Sequence, residues 1–203
     1  MNIIMLDIKK IKFEKNVKID DWTIVLNCGK PVKLNDGTTL KSFESGLFRN
    51  TIIEGDKLLK FEIGKEFEVS NKLANYCRSN WTPVFEIFPF EVFRNTDFFR
   101  SPKIKLGDLE FNFWYCGENF SCGIHNEHDF FELHTQILGR GEMQKFFDKE
   151  ASSIFYREIL SPGQTHKPFF NTEQKYPYHQ YKSVTKCIWL AIESDKRIPI
   201  EKN

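Results

Sequence analysis

Leu109-Glu-Phe-Asn-Phe-Trp-Tyr115 has the two-residue alternation of a β-strand, and its odd-numbered residues share one apolar face. Lys186-Cys-Ile-Trp-Leu-Ala-Ile-Glu193 is almost continuously apolar, which is typical of a buried strand. Turn signals such as Asn35-Asp-Gly37 and Ser161-Pro-Gly163 recur along the chain. Many short strands separated by turns predict an all-β protein, built as a sandwich or a barrel.

Four further segments have the composition of strands: 22–26, 51–54, 58–63 and 84–92. Gly55-Asp56 stands between the second and third of them and predicts a tight hairpin turn. Helical sequence is scarce. Segment 70–77 predicts about two helical turns with Ser70 as the N-cap, and the charged segment 143–152 predicts a turn or a strand-flanking loop.

The composition predicts one folded domain. The chain has 203 residues, of which 40% are apolar and 15% aromatic, with 21 Phe, enough for a packed core. We expect a single domain over 1–203, in which residues 1–105 supply strands that extend or cover a core formed by residues 106–203. No internal repeat or low-complexity linker divides the sequence.

Charge and cysteine content exclude several classes of function. The 29 basic and 28 acidic residues leave a net charge of +1, so we expect neither nucleic acid nor a membrane surface as a partner. The five cysteines are odd in number and irregularly spaced, with no Cys-x-x-Cys pair, which argues against a disulfide framework. The N-terminus lacks a long apolar region with a cleavage site, so we expect a cytoplasmic protein.

The histidines are confined to one part of the chain. All five lie between His125 and His179, and imidazole is the commonest protein ligand for transition metals. The central run is His125-Asn-Glu-His128-Asp-Phe-Phe-Glu132-Leu-His134-Thr-Gln136-Ile-Leu-Gly139, and Ser161-Pro-Gly-Gln-Thr-His166 follows later. This clustering predicts a single site for chemistry.

The alternation of side chains along a β-strand assigns some of these residues to a common face. If 131–138 is a strand, Glu132, His134, Gln136 and Leu138 lie on one face, and the opposite face is apolar. A face with a carboxylate, an imidazole and an amide meets either solvent or a polar cavity. The neighbouring Phe130 and Phe131 favour enclosure in a cavity.

These residues carry a resemblance to the cupin superfamily. His128-x3-Glu132-x6-Gly139 resembles the second half of its first motif, Gly-x5-His-x-His-x3-4-Glu-x6-Gly. Gly163-x2-His166 resembles the second motif, Gly-x5-Pro-x-Gly-x2-His-x3-Asn, with Pro162 one place closer than in the pattern. The resemblance covers about residues 109–193 and implies a jelly-roll barrel.

The resemblance also implies a metal site. Its ligands would be His128, Glu132 and His166, holding one divalent transition metal: Fe(II), Mn, Ni, Co or Zn. The position of the family's first histidine is occupied by Asn126, with His125 one residue early. The fourth ligand is therefore open between His125, Asn126, His134 and a water molecule, and a polar pocket without metal is the competing interpretation.

Four other side chains receive roles around this site. His134 is the candidate acid or base and Gln136 an orienting hydrogen-bond group. His179 and Tyr181 stand in the aromatic run Tyr176-Pro-Tyr-His-Gln-Tyr181, where we expect them to contact a substrate at the mouth of the barrel. A hydrogen-bonded packing role is the alternative for His179.

The sequence leaves three functions open. We expect a metal-dependent enzyme that acts on a small molecule, with a preference for oxygenase chemistry. The alternatives are a sugar or sugar-nucleotide isomerase or epimerase in the same barrel and a metabolite-binding protein without catalysis. The resemblance also implies a homodimer formed through edge strands.

Overall fold

The computed structural model describes residues 6–128, 130–170 and 175–195. Its helices are α1 (Asn71–Asn80) and α2 (Val84–Ile87), with 3-10 turns at Ile8–Lys10, Glu91–Phe93 and Ala151–Ser153. Its strands are β1 (Glu14–Ile19), β2 (Thr23–Asn27), β3 (Val32–Lys33), β4 (Thr39–Leu40), β5 (Ser45–Phe48), β6 (Thr51–Glu62), β7 (Thr82–Pro83), β8 (Phe98–Arg100), β9 (Ile104–Leu106), β10 (Leu109–Cys116), β11 (Phe131–Leu138), β12 (Gly141–Phe146), β13 (Ile154–Leu160), β14 (Tyr178–Ser183) and β15 (Cys187–Ser194).

The strands form three larger sheets and one small hairpin. A six-stranded sheet has the order β11-β15-β10-β8-β7, with β9 paired to β10. A four-stranded sheet has the order β1-β6-β2-β5, a three-stranded sheet the order β13-β12-β14, and β3 pairs with β4. The all-β prediction is confirmed. In the part of the chain described, the sheets remain separate layers, as in a β-sandwich.

The six-stranded sheet is buried on both faces, because its strands alternate between two cores. Phe111, Phe113 and Leu190 enter a first core together with residues of β2, β6 and α1. Trp189 and Cys187 enter a second core with residues of β12, β13 and β14. Apolar residues on both faces explain why the sequence of β15 is almost continuously hydrophobic.

The first core contains side chains from both halves of the chain. Leu26 and Phe61 of the N-terminal sheet lie in the same cluster as Phe113 and Ile188. A third cluster on the outer face of the N-terminal sheet includes Val25 and is covered by the β3–β4 hairpin. The division of the chain at residue 105 stays a prediction.

The predicted hairpin at Gly55-Asp56 is wrong. Residues 51–62 form the single strand β6, which changes partner along its length: Thr51 to Leu58 pair with β1, and Leu58 to Glu62 pair with β2. The register shifts between the pair Asn16–Glu54 and the pair Glu14–Leu58. The segments before and after Gly55-Asp56 pair with β1 and β2 rather than with each other. Gly55-Asp56 therefore lies in an irregularity of a long strand and not in a hairpin turn.

Two other local predictions are wrong. Segment 84–92 is not a strand: the amide of Phe88 donates to Val84 O at 2.8 Å and closes the helical turn of α2. Only Val84 of that turn is buried, so the alternating apolar residues of the segment do not form one buried face. Part of segment 143–152 is strand rather than loop, because β12 lies between β13 and β14 and hydrogen-bonds to both.

Other sequence features are confirmed. Strands β10 and β15 pair antiparallel from Glu110–Glu193 to Cys116–Cys187, and Ser70 caps α1 by accepting a hydrogen bond from the Leu73 amide at 3.3 Å. The five cysteines are free thiols. Among the described residues, none of the helices has the length and apolar character that crossing a membrane requires.

Gly139 ends β11 in a conformation that only glycine adopts easily. Its φ is +73°, and a Cβ there would collide with the carbonyl oxygen of Lys186. We expect Gly139→Ala to lower the free energy of unfolding by about 2–3 kcal/mol, from left-handed strain plus a backbone clash. Gly107→Ala is the control, because Gly107 has φ +65° but nothing within 4 Å of its added Cβ. Equal losses in the two variants, measured by urea unfolding, would contradict the clash.

Asp97 links α1 to the sheet. It accepts from Arg78 Nε at 2.7 Å and from the Tyr115 hydroxyl at 2.7 Å. Burial raises the pKa of Asp97, but the hydrogen bonds from Arg78 and Tyr115 outweigh it and leave the pKa below its ordinary value. This contact therefore stabilises the fold at neutral pH, and the stabilisation is lost as the pH falls through the folded-state pKa, below about 4.

We accordingly expect Asp97→Asn to cost about 1–2 kcal/mol at neutral pH. The loss should shrink in acid, where the wild-type carboxylate is also protonated. Thermal unfolding between about pH 2 and pH 7 measures it. Glu91→Gln is the control, because it removes only the exposed ion pair with Arg94. A loss that does not depend on pH would overturn the assignment to the charge of Asp97.

Candidate metal centre

Three histidine side chains converge between the six-stranded and three-stranded sheets. His125 lies in the loop after β10, His128 precedes β11, and His179 belongs to β14. A two-way backbone bridge joins the first to the last: the His125 amide donates to His179 O at 3.0 Å, and the His179 amide donates to His125 O at 2.8 Å. This bridge fixes the two rings side by side.

The Nε2 atoms of the three rings face one another. His128 Nε2 lies 3.1 Å from His125 Nε2 and 3.0 Å from His179 Nε2, and the ligand atoms of all three residues lie within 4.8 Å of one another. A divalent ion with bonds of about 2.0–2.1 Å holds neighbouring imidazole nitrogens about 3.0–3.4 Å apart. The spacing of the His125–His128–His179 group, hereafter the triad, suits a single metal ion.

Hydrogen bonds at the outer nitrogens fix the tautomers. His125 Nδ1 lies 3.0 Å from Gly123 O, and His179 Nδ1 lies 2.8 Å from Pro177 O. A carbonyl oxygen only accepts, so each ring holds its proton at Nδ1 and presents a bare lone pair at Nε2. Backbone orientation of the remote nitrogen is the usual support for a metal-binding histidine. The donor set therefore fits a transition metal.

A second polar group lies beside the triad on β11. Glu132 Oε1 is 3.2 Å from His134 Nε2, and Glu132 Oε2 is 3.9 Å from His128 Nδ1. His134 thus donates from Nε2 to the carboxylate, and its buried Nδ1 has no hydrogen-bond partner. The carboxylate therefore stands between the ring of His128 and the protonated Nε2 of His134.

His166 lies next to His134 because the Pro162-Gly163 turn directs the chain along β11. Gly163 has φ +90°, its amide donates to Gln136 O at 2.9 Å, and the His166 amide donates to His134 O at 3.2 Å. His166 Nδ1 donates to Lys167 O at 2.8 Å. Its Nε2 is buried without a partner, and its ring stacks on Phe169 at 4.3 Å.

Burial controls the charge of these groups. Burial, and then the neighbouring His125, lowers the pKa of His179 to about 3. Burial and then His134 lower the pKa of His166 to about 3. Burial alone would raise the pKa of Glu132, but His134 and then His128 hold it well below its ordinary value. Near neutral pH both imidazoles are uncharged, as metal ligation requires, and Glu132 is ionised.

Comparisons with known proteins give structural matches only. No family model matches the sequence, and no curated protein matches it. Several of the solved structures that match are cupins. An RmlC-like cupin from Desulfovibrio desulfuricans is 13% identical, with 48% of this chain and 82% of that chain covered and a TM-score of 0.35. A cupin superfamily protein from Desulfitobacterium hafniense is 11% identical, with coverages of 57% and 90% and a TM-score of 0.36.

KdgF from Halomonas sp. also matches, at 15% identity and a TM-score of 0.37, with 49% of this chain and 82% of that chain covered. Structures described as cupins are thus among the matches, over about half of this chain, and the resemblance carried by the two motifs stays a prediction.

The triad differs from the ligand set that the cupin motifs implied. His128 belongs to both sets, but the converging group contains neither Glu132 nor His166, and its other members are His125 and His179. His125 supplies a ring despite standing one residue early, because the loop before β11 pairs with β14 through the His125–His179 bridge.

The strand-parity prediction holds for three of its four residues. Glu132, His134 and Gln136 project away from the first core, whereas Leu133 and Ile137 enter it. Leu138 was placed with the polar residues, but the register between β11 and β15 shifts after Gln136, and Leu138 also enters the first core. This irregularity reverses the parity of the final residue.

Gln136 and Tyr181 bond to each other. The Tyr181 hydroxyl donates to Gln136 Oε1 at 2.8 Å, and Gln136 Nε2 donates to Leu138 O at 2.7 Å. The Tyr181 ring stacks on Trp189 at 4.2 Å. These polar atoms are therefore engaged within the protein, beneath the His134 ring.

Two aromatic residues, Tyr176 and Phe169, contact the polar groups of the site. The Tyr176 hydroxyl accepts the Glu132 amide at 2.8 Å, and its ring centroid lies 4.6 Å from that of His128. Phe169 lies between His166 and His179, with its centroid 5.3 Å from the His179 ring. Both residues belong to an aromatic-rich part of the sequence, but their contacts with the histidines depend on long-range packing that has no local sequence signal.

Proposed function

We propose that this chain is a metal-dependent enzyme acting on a small molecule, with His125, His128 and His179 as the metal ligands. The observation that carries the proposal is the convergence of three Nε2 atoms, two of them unprotonated because their Nδ1 protons bind backbone carbonyls. A bound divalent ion would supply Lewis-acid polarisation of a substrate oxygen or, as Fe(II), activation of dioxygen.

The protein's own part in the chemistry is proton transfer by Glu132 and His134. His134 Nδ1 is buried without a hydrogen-bond partner, so in the neutral ring it can accept a proton from a substrate hydroxyl or a water molecule. The resulting imidazolium would be stabilised by Glu132, 3.2 Å from Nε2. His166 Nε2 offers a second buried acceptor that would orient the same group.

Oxygenase chemistry is the form of this function that we favour. Aromatic rings surround the histidines: His128 has Tyr176 at 4.6 Å and Phe130 at 5.4 Å, and Phe169 stacks on His166. Apolar walls exclude water from a reactive centre, which protects the intermediates of such reactions from hydrolysis. The imidazole-rich donor set is compatible with Fe(II).

Oxygen uptake tests this form of the proposal. Protein loaded anaerobically with Fe(II) is mixed with air-saturated buffer and a panel of small hydroxylated substrates in an oxygen electrode. We expect substrate-dependent uptake, lost in His179→Ala and reduced about 100-fold or more in His134→Ala. Substrate turnover that continues unchanged without oxygen would overturn the oxygenase assignment.

Isomerisation or epimerisation is the second candidate, and the Glu132–His134 pair favours it. A buried carboxylate and imidazole 3.2 Å apart can remove and return a proton without any oxidant. Exchange of substrate hydrogen for deuterium from D2O under nitrogen, lost in Glu132→Gln, is the expected sign. If the protein binds metal and small molecules but shows neither hydrogen exchange nor oxygen uptake, a metabolite-binding protein without catalysis becomes the remaining candidate.

A further inference from the structure

Lys145 projects from the same sheet face as the triad residue His179. Strands β12 and β14 pair so that Met143 is opposite Tyr181 and Lys145 is opposite His179. Residues directly opposite in an antiparallel pair project from the same face of the sheet. Met143 and Tyr181 both enter the second core, so Lys145 projects from the inner face of the three-stranded sheet.

The ammonium group is held by aromatic rings rather than by an acid. Lys145 Nζ lies 4.8 Å from the Tyr156 ring centroid and 4.9 Å from that of Phe169. Among the ion pairs of the described residues, none includes Lys145. Glu158 is the acid that acts on it, but Glu158 Oε2 accepts from the Tyr156 hydroxyl at 3.2 Å and lies 3.3 Å from the Lys167 amide.

The surroundings of Lys145 balance its positive charge only in part. Partial burial lowers the pKa of Lys145, and Lys167 adds to that effect while Glu158 opposes it. Cation–π contacts hold an ammonium in place but use none of its three N–H donors in conventional hydrogen bonds. An anionic oxygen entering here would meet both a charge and free donors in partly desolvated surroundings, where such contacts are strengthened.

The ring of Phe169 contacts both the Lys145 ammonium and the histidines His166 and His179. The Phe169 ring that contacts Lys145 also stacks on His166 at 4.3 Å and lies 5.3 Å from the His179 ring. A small molecule that reaches from the triad past the Phe169 ring edge would bring a second functional group to Lys145. The arrangement places a cation beside the reacting centre without making it part of that centre.

We propose that Lys145 binds an anionic oxygen group, a carboxylate or a phosphate, of the small molecule that the triad acts on. The inference rests on the proposed function and narrows its substrates to anionic molecules. Lysine rather than arginine suits a single point-charge contact of this kind. Lys145 is a specificity residue in this proposal and takes no part in the proton transfer.

Anion binding by the full-length protein tests the proposal. Acetate and inorganic phosphate are titrated separately into protein without added metal, and binding is followed by NMR shifts of the residues around Lys145. We expect Lys145→Met, which keeps the aliphatic stem against the two rings, to weaken binding of at least one anion about tenfold. Lys145→Arg should keep most of the affinity, and Lys149→Met, at an exposed lysine over Tyr178, should change little.

The outcomes separate this inference from the proposed function. Equal anion affinity in wild type and Lys145→Met, or no binding of either anion by wild type, would overturn it, whatever the metal content of the protein. Weaker binding in Lys145→Met alone supports it even if no metal binds the triad. Unfolding curves of each variant establish that the fold is intact, and Lys145→Gln replaces Lys145→Met if that variant is unstable.

Discussion

Replacing His179 with Ala should abolish stoichiometric metal binding. The change removes one of three Nε2 donors that lie about 3 Å from their neighbours. Loss of a residue that only orients a ligand costs about 10–100-fold in metal affinity, so loss of a ligand should cost more than 100-fold. Metal content after purification and dialysis, together with a competition titration with a chelator, measures the effect.

His166→Ala provides the comparison that separates two ligand sets. The cupin motifs imply that His166 is a ligand, whereas the structure places it outside the converging group, with its ring on Phe169. We expect His166→Ala to keep a full equivalent of metal with affinity within about tenfold of wild type. Metal lost in His166→Ala and retained in His179→Ala would reverse the assignment and restore the motif-based set.

Phe113→Ala should cause the largest loss of stability among single substitutions in the first core. The ring is fully buried and stacks on Trp81 at 6.0 Å, with Phe61 edge-on at 5.9 Å. Truncating a buried phenylalanine costs about 3–5 kcal/mol, because apolar contacts are lost and a cavity remains. That is a large part of the roughly 5–15 kcal/mol that stabilises a typical domain.

Phe155→Ala is the matched control for this prediction. Phe155 is the same residue type in the same kind of element, but it lies 51% exposed on β13. We expect its truncation to change the free energy of unfolding by less than about 1 kcal/mol. Guanidinium unfolding of both variants measures the difference, and similar losses at the two positions would mean that the first core does not dominate stability.

The sequence predicts an element correctly where the element's own buried face sets the spacing of its apolar residues. Strand β10 alternates because Phe111 and Phe113 enter a core, and α1 begins where Ser70 can cap it. Segment 51–62 was predicted wrongly because a Gly-Asp pair has the same local signal in a hairpin turn and in a strand irregularity. Only the partners β1 and β2, distant in the chain, distinguish the two.

The same limit applies to the site. Glu132 and His134 follow from strand parity, which is a local property of β11. The role of His179 as a partner of His125 and His128 depends on a backbone bridge between β14 and a loop more than fifty residues earlier. Such a bridge has no local sequence signature, so the sequence located the cluster of histidines without identifying which of them converge.

Strand β11 divides two tasks between alternate positions. Leu133 and Ile137 enter the first core, while Glu132 and His134 stand beside the triad. A random library at positions 132 and 134 should therefore yield folded proteins with altered chemistry, whereas a library at 133 and 137 should yield unfolded ones. New activities can evolve on such a strand with little loss of stability, because selection on one face leaves the packing of the other unchanged.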